Sequence, residues 1–574
     1  MPNVFASFRG RELSLLAGLA GISWAAYLAI VLSAQSLHEA GTGRHSLLIL
    51  LALFGFTFAC YLVAIRITLR AAETRRLLVL IVTAGTLFRV TLLFSHTIEE
   101  IDLYRYLWDG AASTQGVNPF RYAPQQVLAA TDDGSLPEDL ARLVRLRENS
   151  PEMTAILKRV HFGELPTIYP PASQAVFALC TWLTPPGTSV YGCMVIMKAW
   201  FLGCDLATML LVIGLLRFTE RPTGMIVIYA WCPLLIKEIA NSGHVDALAF
   251  LLTTGAVCFI VRALYSPGQL RSPQWTAYCG SALLALAVGS KLYPVVLAPL
   301  LAVSLVRRHG LRFTVMPLAV FVVLTAILLS PMRPGTHSES AQSEAVIDPG
   351  QVAVLPEDAP PAAPQEVSFT PRDPSQSLRA FLGEWEMNDF LFLIVVENLR
   401  PARDVAPEIR PWFSIVPDEW RSGLVALASP LLAVEEARIP FLLARIVTAS
   451  CFILIAGWLA WQGATSRTAA GWLNAAFLTI AWFWLLLPTQ NPWYWCWTLP
   501  FLPFARSRAW LAVSGLAFVY YFRFWLMRYF GDTAVAGTGY GGPLFFDYVI
   551  VWLEFGPWLA WLAAGTLWRR RLPS

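Results

Sequence analysis

Read for hydrophobic periodicity, the chain is a succession of apolar runs of membrane-spanning length separated by short polar turns and two long polar segments. A run of about 20 apolar residues matches the thickness of a hydrocarbon core, and only helices satisfy their own backbone there. Runs begin at about 14–33, 46–65 and 78–94, and the third delivers a polar segment, 95–190. Within it, 125–158 reads as short helices outside the membrane. The apolar run 172–184, bounded by Pro185–Pro186, reads as an interfacial or re-entrant helix. Further runs lie at about 191–216, 223–239, 246–264, 275–290, 292–306 and 314–330. After a second polar segment, 331–437, they resume at about 439–461, 470–487, 494–505, 509–528 and 546–568. The pattern predicts an all-α polytopic membrane protein of about fourteen (12–14) transmembrane helices.

Arginines orient these spans. They cluster at 66–76, 217–221, 262–271, 307–312 and 569–571, which places these turns and both termini in the cytoplasm. The two long segments and the turns around 240, 291 and 490 then fall outside the cytoplasm, in an inner or plasma membrane. The expected organisation is two accessory spans (1–77), a membrane core (78–330) with outer loop 95–190, an extracytoplasmic segment (331–437) and a five-span bundle (438–574). Within 331–437, the Pro-, Ala- and acid-rich 331–375 is expected to be disordered and 376–400 to form an interfacial helix.

Composition agrees: of 574 residues 56% are hydrophobic and 14% charged, against about 25% charged in soluble proteins. The net charge of +4 is scattered, which argues against nucleic acid as a partner. Nine dispersed cysteines contain no CxxC pair and read as structural. The chain has no phosphate-binding GxxxxGK[ST] loop, no HExxH and no GxSxG.

Candidate chemistry gathers at the outer turns. In HTIEEIDLYRYLWDGAASTQGVNPFRYAP (96–124), Glu99, Glu100 and Asp102 follow directly on the third span. A carboxylate there can take the proton of an acceptor hydroxyl, or can bind a divalent metal through oxygen. Tyr104, Arg105 and Asp109 follow in the same stretch, and Tyr169 precedes two prolines. The turn after Trp231–Cys232–Pro233 carries Lys237, Glu238, Asn241, His244 and Asp246, too many polar groups at a membrane edge to be filler. Their functional reading is phosphate or sugar recognition; the structural alternative is an ion pair of Lys237 with Glu238 or Asp246. Lys291 with Tyr293 either snorkels or holds an anionic leaving group. Gln490, Trp493 and Tyr494 lie at another outer turn and suit a sugar face or the interface belt. Lys198 and Asp205 fall on one side of one span, with Asp205 expected to pair inside the bundle.

Taken in order, EIDLYRY, NPFRYAP, KAWFLGCDLA, LLIKEIANSGHVDAL, ALAVGSKLYPVVLAP and QNPWYWCWTLP resemble the C-type (GT-C) integral-membrane glycosyltransferases. Nearest in pattern are the first mannosyltransferase of GPI-anchor synthesis and bacterial enzymes using polyprenyl-phosphate mannose. The likeness covers about 78–310 and 470–510. It implies a GT-C-like bundle and inverting transfer of a hexose, mannose first among them, from a polyprenyl-phosphate donor. The acceptor hydroxyl would belong to a glycan, glycolipid or protein outside the cytoplasm. Where the family has two aspartates separated by one residue, this chain has Glu100 and Asp102, so the base role carries to Asp102 with Glu100 as partner or metal contact. The family's Asn–Ala–Asp stands here as His244–Val245–Asp246. Lys291, Lys237 or Arg105 would steady the departing phosphate. A transporter or flippase for a lipid-linked sugar is the rival reading.

Overall fold

A computed structural model describes residues 2–39, 46–266, 273–334, 368–403, 405–432 and 434–571. Helices account for its architecture, and the one β-type contact among the described residues is an isolated bridge between Met387 and Thr489. Among the described residues ten helices are long and apolar enough to cross a membrane, so this is a multi-pass membrane protein. They are Arg11–Leu37, Ser46–Thr68, Arg75–Leu93, Val190–Phe218, Asp246–Tyr265, Leu311–Leu328, Glu436–Thr465, Ala469–Leu486, Ala509–Phe530 and Gly542–Gly565. The pair Thr223–Ala230 and Pro233–Asn241, bent by 55°, makes an eleventh if it counts as one broken span.

Three of the expected fourteen take another form. The helix Pro273–Ser290 opens on a polar turn, and Ala298–His309 is only 12 residues long after a tight turn, Tyr293–Leu297. The run at 494–505 breaks into short turns, Pro492–Trp495, Cys496–Thr498 and Leu502–Phe504, because prolines at 492, 500 and 503 each remove a backbone donor. These turns are buried in protein, where such backbone is tolerated at membrane depth. The C-terminal portion therefore holds four qualifying helices rather than five.

The first two helices are part of the bundle rather than an appendage. Phe54 stacks on Phe518 at 4.7 Å, and the Tyr61 hydroxyl donates to the Ile228 carbonyl at 2.8 Å. At the centre Arg89 donates to Asp205 at 2.5 Å, and Tyr229 donates to the other Asp205 oxygen. Arg89 also reaches the carbonyls of Gly85 and Ala230, so one guanidinium joins two spans to the bent pair. The expected pairing of Asp205 inside the bundle is present, with Arg89 as its partner and not Lys198.

The segment 95–190 carries the expected short helices, Pro124–Ala129, Glu138–Asn149 and Pro151–Leu157, and the expected helix Pro171–Leu183, and it adds Asp102–Thr114 within the stretch read as a loop. Helices Asp102–Thr114 and Pro171–Leu183 meet at Gly110, where a Cβ would lie 2.6 Å from the Phe177 carbonyl oxygen. In the second polar segment, residues 335–367 lie outside the described part. Residues 368–375, expected to be disordered, are held against the first outer loop. Gln126 Nε2 donates to Ser368 and Thr370, and the Arg372 amide donates to Arg121. The single interfacial helix expected over 376–400 is instead two helices, Gln376–Glu384 and Leu391–Glu397, joined by a strap. Met387 in that strap exchanges backbone hydrogen bonds with Pro488 and Gln490, which sets the strap against the 488–491 turn.

Candidate active site

The turn after the Arg75–Leu93 helix is fixed from below by two groups that the sequence placed in substrate contact. Lys198 Nζ donates to the Ser95 carbonyl at 2.8 Å. Asn241 accepts from the Ile98 amide and donates to Ser95 Oγ and the His96 carbonyl. Both are buried anchors of this loop, outside the cavity wall. Glu99 adopts the left-handed backbone region, φ 56°, unusual for a side-chain-bearing residue. A bidentate pair with Arg528 at 2.5 and 2.6 Å holds it there.

Asp102 then opens the helix Asp102–Thr114, where backbone N–H groups favour a negative side chain. Tyr169 donates to Asp102 Oδ2 at 2.8 Å, and 27% of the Asp102 side chain stays open to the cavity. The Tyr106 hydroxyl lies 3.4 Å behind Tyr169. His244 Nδ1 lies 4.0 Å from Asp102, its Nε2 3.2 Å from Glu238, and its ring stacks on Trp493 at 4.5 Å. Glu100 is buried with one carboxylate oxygen unpartnered, and burial pushes its carboxyl well above the usual carboxylate range against the nearby Lys237 charge. Asp102 and Glu100 thus occupy unlike environments, one hydrogen-bonded and solvent-reaching, the other dry. Among the described residues no group of three or more His, Cys, Asp or Glu converges as a metal-binding set.

A cavity of about 470 Å³ lies over this pair. Its polar end includes Glu99, Glu100, Asp102, Arg105, His161 and Lys291. Apolar side chains such as Phe452, Phe483, Leu486 and Phe381 build much of the remaining wall, with Arg445 among them. Lys291 donates to Asp246 at 2.7 Å and sits over the Tyr494 ring at 5.1 Å, with the Tyr169 and Trp497 rings near 6 Å. Tyr293 stacks on Trp497 at 4.2 Å and closes the floor. Eight predicted residues therefore share one wall: Glu100, Asp102, Arg105, Tyr169, Lys291, Tyr293, Trp493 and Tyr494.

The others lie behind it. Lys237 is fully buried, 3.3 Å from Glu238 and hydrogen-bonded to Tyr521, so the structural alternative describes it. Asp246 is taken by Lys291 and by the Trp497 indole N–H. Tyr104 accepts from Arg159, and buried Asp109 accepts from Gln174, burial raising its pKa. Gln490 donates to the Leu485 carbonyl and braces the strap. Arg105, though in the wall, spends its guanidinium on the carbonyls of His161, Phe162 and Leu165 and clamps that turn. Sequence reasoning missed Arg445, Arg528 and His161, while Trp385, open along the chain to either water or the cavity, lies in the cavity wall. An arginine inside the apolar run 439–461 was a legible signal for the first, since such charges are costly in lipid. The pairing of Glu99 with Arg528, 429 positions away, has no local signal. No family model, no curated protein and no solved structure matches this chain.

Proposed function

We propose that this protein is an integral-membrane glycosyltransferase. It moves a hexose, mannose by the resemblance of its motifs, from a polyprenyl-phosphate donor to an acceptor hydroxyl on the extracytoplasmic side. The observation that carries the reading is one cavity uniting three features: a solvent-reaching carboxylate, accessible cations and an extended apolar wall. A lipid-linked, anionic sugar donor needs all three, and a soluble nucleotide sugar has no use for the third. In the reaction Asp102 accepts the hydroxyl proton as the acceptor oxygen bonds to the sugar C1. The C1–O bond to phosphate breaks with its electron pair going to the lipid phosphate, which leaves as an anion. One displacement inverts the anomeric centre. Lys291, with Arg445 further along the wall, offsets the charge on the leaving phosphate. Tyr169 holds Asp102 in place, and the Trp493 and Tyr494 rings offer stacking faces for a sugar.

The test uses the full chain in nanodiscs with radiolabelled polyprenyl-phosphate mannose and an extract of envelope glycolipids as acceptor. Asp102→Asn is expected to lower transfer by about 10²–10⁴-fold with the protein still monodisperse. Unchanged transfer would overturn the reading. The rival transporter draws on the 55° break between Thr223–Ala230 and Pro233–Asn241, the kind of discontinuous helix found at transport sites. It requires label to cross a sealed bilayer intact, with no new glycosidic bond.

A further inference from the structure

The helix Asp418–Leu432 presents an apolar stripe left exposed by the described residues. Trp420, Leu424, Leu427 and Leu431 recur at helical spacing, and Trp420, Leu427 and Leu431 are 71%, 70% and 81% exposed. Ile415, just before the helix, is 85% exposed. The neighbouring stripe is already partnered: Val425 and Ala428 pack on Ile439 and Leu443 at the start of the Glu436–Thr465 span. Buried Arg421 ties the first turn to the Arg400 carbonyl and Ser414. All three charges of the helix, Asp418, Glu419 and Arg421, fall in its first turn, and residues 422–434 carry none.

Two spans fix the height of this segment. Near its C-terminal end it packs on the start of Glu436–Thr465, whose side chains Ile446, Ile453 and Leu454 are themselves exposed. At its N-terminal end Trp412 donates to the Tyr548 carbonyl at 2.6 Å and packs on Trp552 at 4.5 Å, both within the Gly542–Gly565 span. Arg438, in the turn between the two helices, pairs with Glu384 at 2.7 Å, next to Trp385 of the cavity wall. The stripe is therefore on the cavity side, beside the start of a span.

We infer that residues 412–432 form a membrane-embedded half-span, lying in the leaflet on the cavity side with Trp420, Leu424, Leu427 and Leu431 in the acyl-chain boundary. The occupant of the stripe is lipid and not a second copy of the chain, because both ends of the segment pack on membrane spans, at Ile439 and Leu443 and at Tyr548 and Trp552. The uncharged stretch is too short to cross: about 1.5 Å per residue gives a helix of about 20 Å against a hydrocarbon core of about 30 Å. An amphipathic helix of this kind rests in the interface with its charged end toward water. The inference stands whether or not the protein transfers a sugar.

The test uses the full chain with its three less buried cysteines, Cys204, Cys279 and Cys451, replaced by serine. Leu427→Cys and Leu431→Cys are each labelled with an environment-sensitive fluorophore, beside Glu419→Cys as an aqueous reference. The chains are reconstituted in phosphatidylcholine vesicles containing a nitroxide-labelled phosphatidylcholine. Labels at 427 and 431 are expected to be quenched by the lipid nitroxide and protected from iodide at least several-fold relative to position 419. Iodide quenching equal to the reference would overturn the inference by placing the stripe in water. Protection from both quenchers would overturn it in favour of a second protein copy on the stripe.

Discussion

In the proposed reaction Asp102 takes the proton and Tyr169 holds that carboxylate in place, and their contact gives the sharpest expectation. Tyr169→Phe removes one hydrogen bond to a charged group, worth about 1.5–3 kcal/mol, while leaving the ring and its packing. Transfer is expected to fall about tenfold in kcat with KM little changed, read in single-turnover and steady-state assays. Glu100 gives the opposite kind of expectation, about stability and pH. Its folded-state pKa is raised, so the folded protein holds its proton more tightly than the unfolded chain. Stability at this position is then lost as pH rises above the ordinary carboxylate value toward the raised one. Glu100→Gln, neutral at every pH, is expected to melt higher than the native chain above neutrality and to match it in acid, measured by thermal unfolding in detergent from pH 4 to 9. The carboxylates were legible because charges beside an apolar run stand out. Which was dry and which wet was not legible, since that depends on what covers each.

Between helices the decisive contact is the crossing of Asp102–Thr114 over Pro171–Leu183. At Gly110 an added Cβ would meet Thr181 Oγ1 at 2.4 Å and the Phe177 carbonyl at 2.6 Å, so the helices must part. Gly110→Ala is expected to cost about 1–3 kcal/mol of stability. Because Tyr169 lies just before the second helix, the variant is also expected to lose transfer activity beyond its loss of folded protein, checked by activity per unit of monodisperse sample. The prolines flanking 172–184 mark the second of these as a short helix and not a span, whereas 102–114 reads along the chain only as part of a polar loop. The sequence reading gave the interfacial role to 376–400, where the structure has two short helices and a strap, and overlooked the stripe at 420–431. Alternating apolar and polar residues signal two-faced surroundings without saying whether the second face meets lipid, water or a cavity.

For the molecule as a whole, the buried Arg89–Asp205 pair is the joint between spans that are far apart in the chain. Removing one partner leaves an uncompensated charge in a dry interior, and Arg89→Met is expected to destabilise by about 3–5 kcal/mol. The double variant with Asp205→Asn is expected to recover much of that loss, read as a double-mutant cycle of thermal stability. The same joint positions the bent pair, whose Asn241 holds the turn at 95–98, so under the proposed function transfer should follow folded fraction in this series. Fourteen spans were expected and ten or eleven qualify, for a reason that belongs to this scale. Interior segments need not reach across the bilayer, because protein and not lipid satisfies their neighbours.

The sequence by itself determined that the chain is helical, lives in a membrane and concentrates its charge at a few turns. Hydrocarbon thickness and the cost of a charge in lipid are local constraints that every residue obeys separately. Only the tertiary structure decided which of those charges face the cavity. Lys198, Lys237 and Asn241 look as available as Lys291 along the chain, yet buried partners from distant segments hold them away from the cavity, while Lys291 stays in its wall with Asp246 as its own buried partner. Partnership depends on distances between segments up to hundreds of residues apart, and no local pattern carries that information.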